Sequence, residues 1–162
     1  KFGAFLPSDH VKRTEALNWL FWQMGSAPYL GGGFGHFYAY APEKYEYPIN
    51  RYAMEVKRIF DVANNRLAET RFLAGDELTI ADLAAYPWLS ALYHGAYSGS
   101  DVFLSLHEYE NVGRWVREID ARPAAIRGRL VNTTALRERH SAADFDKVED
   151  RTLFDTVRKK IG

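Results

Sequence analysis

An apolar repeat with helical spacing, between Pro48 and Leu67, most limits what this chain can fold into. Its members recur every three or four residues for more than five turns: Ile49, Tyr52, Ala53, Val56, Ile59, Phe60, Ala63 and Leu67. Such spacing places apolar side chains on one face of a helix. Pro48 suits the first turn, because a helix makes no use of the missing N–H there. We therefore expect a long amphipathic helix that begins at Pro48 and ends before Gly75.

Shorter helical patterns flank this repeat. Ser8 and Asp9 can cap a first helix after Pro7, and its apolar side chains run nearly all round, so we expect it to be covered on more than one face. A further amphipathic pattern begins at Tyr109, and Pro123 can start a short helix that ends near Leu130. No stretch alternates apolar and polar residues as a strand does. The sequence predicts an all-α fold.

A capping box is predicted where Thr79 precedes an apolar helical pattern. Thr79 fits the N-cap, Asp82 fits the third helical position, and Leu78 and Leu83 can form the flanking hydrophobic staple. Pro87 lies within this helix and is expected to kink it. We interpret Thr79 and Asp82 as a structural cap and not as catalytic groups.

Glycines and aromatic residues crowd the stretch from Gly25 to Tyr47. Five of its residues, 31–35, read Gly-Gly-Gly-Phe-Gly, and the stretch carries seven aromatic side chains. Glycine clusters interrupt helices, so we expect a long aromatic loop. It follows no strand and lacks the ending of a phosphate-binding loop. The alternatives left open are the wall of an apolar pocket and a plain core loop.

Composition excludes several functional classes. Lys plus Arg and Asp plus Glu are equal at 21 each, and Lys44 is the only Lys or Arg in the aromatic stretch, so we expect no nucleic-acid binding. No apolar run is long enough for a membrane helix, which favours a cytoplasmic protein. The chain has no cysteine, and its five histidines share no metal-binding spacing on one helix, so we expect no metal. Any sulfur chemistry must use thiols from elsewhere.

Arg51 occupies an unusual place for a cation, one turn into the predicted long helix. The positive end of the helix dipole disfavours a cation there. Glu55 lies four residues later and can offset the charge. Two interpretations remain open: a surface ion pair, or a guanidinium that binds the carboxylate of a ligand.

The segment Phe72-Leu73-Ala74-Gly75-Asp76-Glu77-Leu78-Thr79-Ile80-Ala81-Asp82, followed by Pro87-Trp88, closely resembles a motif of glutathione transferase C-terminal domains. Further stretches are similar to the bacterial Nu class, whose members are glutathione-dependent disulfide-bond reductases. These stretches are 20–25, Ala41-Pro42, 48–52, Arg122-Pro123-Ala124 and Glu138-Arg139-His140. The resemblance covers about residues 1–145 and implies a helical bundle. It also implies a preceding thioredoxin-like domain, which we expect to lie outside this sequence.

The resemblance implies two groups of site residues. Arg51 matches an arginine that contacts a glutathione carboxylate, and a helix segment lining the glutathione site matches Gln23, Met24, Gly25 and Ser26. We expect an acceptor pocket formed by Phe34, His36, Phe37 and Tyr38. Members of the class hold two glutathiones in one site, which agrees with a chain that has no thiol of its own.

We therefore expect the C-terminal part of a glutathione-dependent disulfide-bond reductase or thiol transferase, with glutathione as cosubstrate and a small disulfide or electrophile as the other substrate. The alternatives are a conjugating glutathione transferase and a non-enzymatic helical assembly module. Residues 1–132 are interpreted as the helical domain and 133–162 as a polar C-terminal extension. The opening at Lys1, without methionine, favours a longer parent chain, and the family implies a homodimer. We expect this chain alone to be inactive.

Overall fold

The computed structural model describes residues 4–131, and these form an all-α domain as expected. The elements are α1 (His10–Pro28), a π-helix (Tyr29–Tyr40), α2 (Glu46–Glu69), α3 (Ile80–Tyr93), α4 (Ser100–Phe103), a 3₁₀ turn (Leu106–Glu108), α5 (Glu110–Asp120) and α6 (Pro123–Val131). Over this range, β pairing is limited to one isolated bridge between Phe72 and Gly75. The predicted all-α class is confirmed.

The long helix predicted from the apolar repeat is α2. It begins at Glu46, two residues before Pro48, so that Pro48 lies in the first turn. The side chains that face the core are buried as the spacing predicted: Val56, Ile59, Phe60, Ala63 and Leu67. At the start of α1, the Asp9 carboxylate accepts a hydrogen bond of 3.0 Å from the Lys12 backbone N–H, which confirms the predicted cap.

The predicted aromatic loop was wrong. Helix α1 continues to Pro28, and the chain then forms a π-helix from Tyr29 to Tyr40, whose wider turns use bonds five residues apart. The glycines are needed for packing: a Cβ on Gly33 would lie 2.5 Å from the Tyr52 ring, and one on Gly31 would lie 2.8 Å from the Trp88 ring. Close contact with α2 and α3 outweighs the low helix propensity of these glycines.

The predicted capping box is present at the start of α3. Thr79 is the N-cap, and its backbone N–H donates to the Asp82 carboxylate at 2.9 Å. The same carboxylate accepts from the Leu73 N–H at 2.9 Å and from the Trp115 indole N–H at 3.0 Å. Asp82 is fully buried, so it joins the start of α3 to the preceding turn and to α5. Helix α3 runs on through Pro87 to Tyr93.

The contacts divide the described residues into one unit that ends at Arg117 and a second that begins at Glu118. In the first, α1 packs against α3, and the π-helix packs against α1 and α2. In the second, Pro123 is the first residue of α6, as predicted, and Arg129 pairs with Asp120 at 2.7 Å. The extension expected at 133–162 lies outside the described residues, as do residues 1–3, so the domain boundary at residue 132 stays a prediction.

Candidate functional site

Arg51 and Glu55 form the polar part of the candidate site, on the second and third turns of α2. The Arg51 Nη1 atom donates to Glu55 Oε2 at 2.9 Å. Glu55 Oε1 accepts a hydrogen bond from Arg58 Nε at 2.6 Å, and Arg58 Nη2 forms an ion pair with the same oxygen at 2.6 Å. The Glu55 side chain is only 15% exposed, whereas those of Arg51 and Arg58 are 51% and 54% exposed. We call these three residues the Arg–Glu–Arg cluster.

The ion pairs of the cluster favour the charged forms of Arg51 and Glu55. Hydrogen bonds from Arg51 and then from Arg58 hold the pKa of Glu55 below its ordinary value of 4.5. The hydrogen bond to Glu55 raises the pKa of Arg51, and Tyr29 and Tyr47 are close enough to contribute. Within residues 4–131, Nε and Nη2 of Arg51 make no hydrogen bond. A charged edge of the guanidinium therefore faces solvent, with the geometry that carboxylates bind.

The α1 segment expected to line the site divides between two faces of its helix. Gln23 and Ser26, three residues apart, are buried, whereas Met24 and Gly25 are exposed. The Ser26 hydroxyl donates to the Trp22 carbonyl at 2.7 Å. The Gln23 Oε1 atom is buried without a hydrogen-bond partner among the described residues. Gln23 is one of the residues that line a cavity of about 10 Å³, which is room for roughly one water molecule.

The four residues expected at the acceptor pocket fall into two pairs. Phe34 is fully buried and stacks on Tyr38 with ring centres 4.8 Å apart, and both rings contact Phe103 at the end of α4. His36 is exposed and meets Phe37 edge-on at 4.9 Å. Phe34 therefore supports this surface from within and does not itself face solvent.

Phe37 connects the second pair to α2 through Tyr52. The rings of Phe37 and Tyr52 stack with centres 5.6 Å apart, and the ring centre of Tyr29 lies 6.3 Å from that of Tyr52. Tyr52 directly follows Arg51 in the sequence, and Tyr29 directly follows α1. One aromatic cluster thus joins the π-helix to the turn of α2 that carries Arg51, and we call it the Tyr52 cluster: Tyr29, Phe37 and Tyr52.

Sequence reasoning did not select Tyr29, Tyr47 or Tyr52 as site residues. Tyr47 lies four residues before Arg51, on the same helix face, and this spacing could have identified it. The contacts of Tyr52 join segments about 15 to 23 residues apart, and no local pattern indicates them. Tyr29, which directly follows α1, is close enough to Arg51 to contribute to its raised pKa.

Two features are absent from the described part of the chain. Residues 4–131 contain no group of three or more His, Asp or Glu side chains arranged to hold a metal ion. None of the helices in that range combines the length and the apolar character needed to cross a membrane.

Comparisons with known proteins give a consistent result. Residues 46–118 match the family model "Glutathione S-transferase, C-terminal domain". Disulfide-bond oxidoreductase YghU of Escherichia coli is 52% identical over 158 residues, which cover 93% of this chain and 55% of that protein. The chain spans about half the length of the curated relatives it matches.

Solved structures agree with these matches. Glutathione transferase YghU from Streptococcus pneumoniae, complexed with glutathione, is 55% identical with a TM-score of 0.76, over 78% of this chain and 49% of that one. A glutathione transferase from Burkholderia graminis, with two glutathione molecules bound per subunit, is 34% identical with a TM-score of 0.71, over 78% of this chain and 52% of that one. Residues 46–118 belong to the glutathione transferase family, through that family's helical C-terminal domain.

Proposed function

We propose that this chain is the helical part of a glutathione-dependent disulfide-bond reductase, in which Arg51 binds a carboxylate of glutathione. The observation that carries the proposal is the solvent-facing edge of the Arg51 guanidinium, held at the start of α2 by Glu55. Glutathione has two carboxylates, and a planar guanidinium binds a carboxylate through two parallel hydrogen bonds. The name of the 52% identical relative, a disulfide-bond oxidoreductase, supports the same activity.

The proposed chemistry takes its thiols from glutathione, which agrees with a chain that has no cysteine. One bound glutathione thiolate attacks a sulfur of the disulfide substrate, releases one substrate thiolate and forms a mixed disulfide. The thiolate of a second glutathione then attacks the glutathione sulfur of that mixed disulfide. Glutathione disulfide forms and the second substrate thiolate leaves, so two glutathiones are oxidised as one disulfide is reduced. The Burkholderia relative with two glutathiones per subunit supports this stoichiometry.

The other site residues receive roles under the same proposal. Gln23, Met24, Gly25 and Ser26 line the glutathione side, with Met24 and Gly25 exposed to it and Gln23 and Ser26 supporting them. His36, Phe37 and Tyr38 shape the acceptor side, and the buried Phe34 holds Tyr38 in place.

The proposed enzyme needs a further domain to act on the thiol. We propose that a thioredoxin-like domain covers the exposed apolar side chains of α1, which include Phe21 and Met24. The matched length, about half of each relative, supports a second domain. The two-domain protein is proposed to be a cytoplasmic homodimer, and the helical chain alone to be inactive.

Two measurements on the two-domain protein test the function. Calorimetric titration is expected to give two glutathiones per subunit, and reduction of a small disulfide is expected to exceed conjugation of a chlorinated aromatic. The opposite preference would favour a conjugating transferase. No binding of glutathione or its disulfide would favour a helical assembly module.

Replacing Arg51 tests the proposed ligand contact. Arg51→Ala should raise the KM for glutathione by roughly tenfold, because a charge-assisted pair of hydrogen bonds is lost. Arg129→Ala is the matched control, since Arg129 is 49% exposed and pairs with an acid that is 19% exposed. Unchanged kinetics for Arg51→Ala would refute the contact.

A further inference from the structure

We infer that Glu55 is a positioning residue for glutathione binding: it orients Arg51 so that one edge of the guanidinium is presented to the ligand. This inference rests on the proposed function of Arg51. Glu55 divides its two oxygens between two arginines, with Oε2 bound to Arg51 and Oε1 bound to Arg58. Its side chain is the least exposed of the three, so it forms the fixed base from which both arginines extend.

The atom that Glu55 binds decides which edge of Arg51 remains available. Glu55 accepts from Nη1 of Arg51, at 2.9 Å. Nε and Nη2 together form the opposite edge of the planar guanidinium, and two parallel N–H bonds point from it. Glu55 therefore leaves intact the edge that suits two-point binding of a carboxylate. Without such a partner, an arginine on a helix surface samples many rotamers, and fixing one of them on binding costs side-chain entropy.

Repulsion between Glu55 and the ligand carboxylate opposes this benefit. Arg58 limits that repulsion because two of its nitrogens bind Glu55 Oε1 at 2.6 Å. With two arginines and one glutamate, the Arg–Glu–Arg cluster keeps one net positive charge. The carboxylate of Glu55 is thus neutralised on the side away from Arg51, and its orienting effect on Arg51 outweighs its repulsion of the ligand.

Steady-state kinetics of Glu55→Ala in the two-domain protein tests the inference. We expect the KM for glutathione to rise about threefold to tenfold, the effect of releasing one ordered side chain, with kcat at saturating glutathione within about twofold. Glu55→Asp should recover most of the loss, because an aspartate four residues from an arginine still pairs with it. Asp120→Ala is the matched control, since Asp120 is a similarly buried acid beside a similarly exposed arginine, and it should leave the KM unchanged.

Arg51→Ala and the double variant separate the two proposals. If Glu55 acts through Arg51, the double variant Arg51→Ala with Glu55→Ala should bind glutathione no worse than Arg51→Ala alone. An unchanged KM in Arg51→Ala would refute the proposed contact itself. A raised KM in Arg51→Ala, together with an unchanged or lowered KM in Glu55→Ala, would overturn the positioning role and leave the contact standing. Because exposed ion pairs add little stability, the thermal midpoints of these variants should stay close to that of the unaltered protein.

Discussion

Asp82 and Glu55 each accept hydrogen bonds from several donors, but we assign Asp82 a role in stability and Glu55 a role in ligand binding. Asp82 is fully buried and accepts from the backbone of Leu73 and Thr79 and from the indole of Trp115. Glu55 is partly exposed and accepts from two exposed arginine side chains. Backbone and indole donors are fixed by the fold, whereas arginine donors can be shared with a ligand. Burial and donor type therefore decide whether an acid contributes to stability or to binding.

Removing the buried carboxylate should have the largest effect. Asp82→Ala leaves the donors of Leu73, Thr79 and Trp115 buried without an acceptor, at about 1–3 kcal/mol for each unsatisfied group. We expect the free energy of unfolding to fall by about 4 kcal/mol or more, measured by urea denaturation of the two-domain protein. Asp82→Asn, which keeps one acceptor oxygen, should lose less. A loss below about 1 kcal/mol for Asp82→Ala would show that burial does not distinguish the two acids.

The position of Arg51 in the Arg–Glu–Arg cluster depends on the packing of the neighbouring Tyr52. Gly33 tests this dependence. A Cβ at position 33 would lie 2.5 Å from the Tyr52 ring, so Gly33→Ala must displace the residue that follows Arg51. We expect a stability loss of about 1–3 kcal/mol and a raised KM for glutathione. Gly32→Ala is the control, because a Cβ there meets nothing within 4 Å. Equal effects of the two substitutions would contradict a role for the Gly33–Tyr52 contact.

The sequence predicted α2 correctly and the π-helix wrongly for one physical reason. The five buried residues of α2 repeat with the helical period, so local spacing carries the information. In the π-helix, glycines suggested a loop because glycine disfavours helices in isolation. Their packing against Tyr52 and Trp88, on two later helices, determines the structure instead. Contacts between distant segments leave no local signal in one sequence.

In the candidate site too, local spacing predicted some features, and others could be found only in the fold. Arg51 was identified because a cation one turn into a helix is unusual, and its pairing with Glu55 follows from the four-residue spacing. The sequence could not show that Phe34 is buried while His36 is exposed, because the glycines predicted a loop, and a loop has no regular buried face. The Tyr52 cluster joins α2 to the π-helix and could be found only in the fold.

The cap that supports Asp82 should have a smaller effect than Asp82 itself. The Thr79 hydroxyl accepts from the Ala81 N–H at 3.3 Å and lies 3.2 Å from Asp82 Oδ2. Thr79→Ala removes these contacts but keeps the backbone N–H that donates to Asp82, so we expect a loss of about 0.5–2 kcal/mol in urea denaturation. Thr79→Ser should retain most of the stability. A loss as large as that of Asp82→Ala would mean that the hydroxyl, and not the carboxylate, holds the start of α3.

The smallest effect expected is the pH dependence of Glu55, which tests whether its contribution to stability comes from its charge. The pKa of Glu55 is lower in the folded protein than its ordinary value of 4.5, because Arg51 and Arg58 donate to its charged form. Its contribution to stability is therefore complete above pH 4.5 and is lost as the pH falls through the lowered value. Urea midpoints of the unaltered protein and Glu55→Gln should differ slightly at pH 6, and the difference should vanish once Glu55 is protonated. A difference that persists in acid would mean that the contribution of Glu55 to stability does not come from its charge.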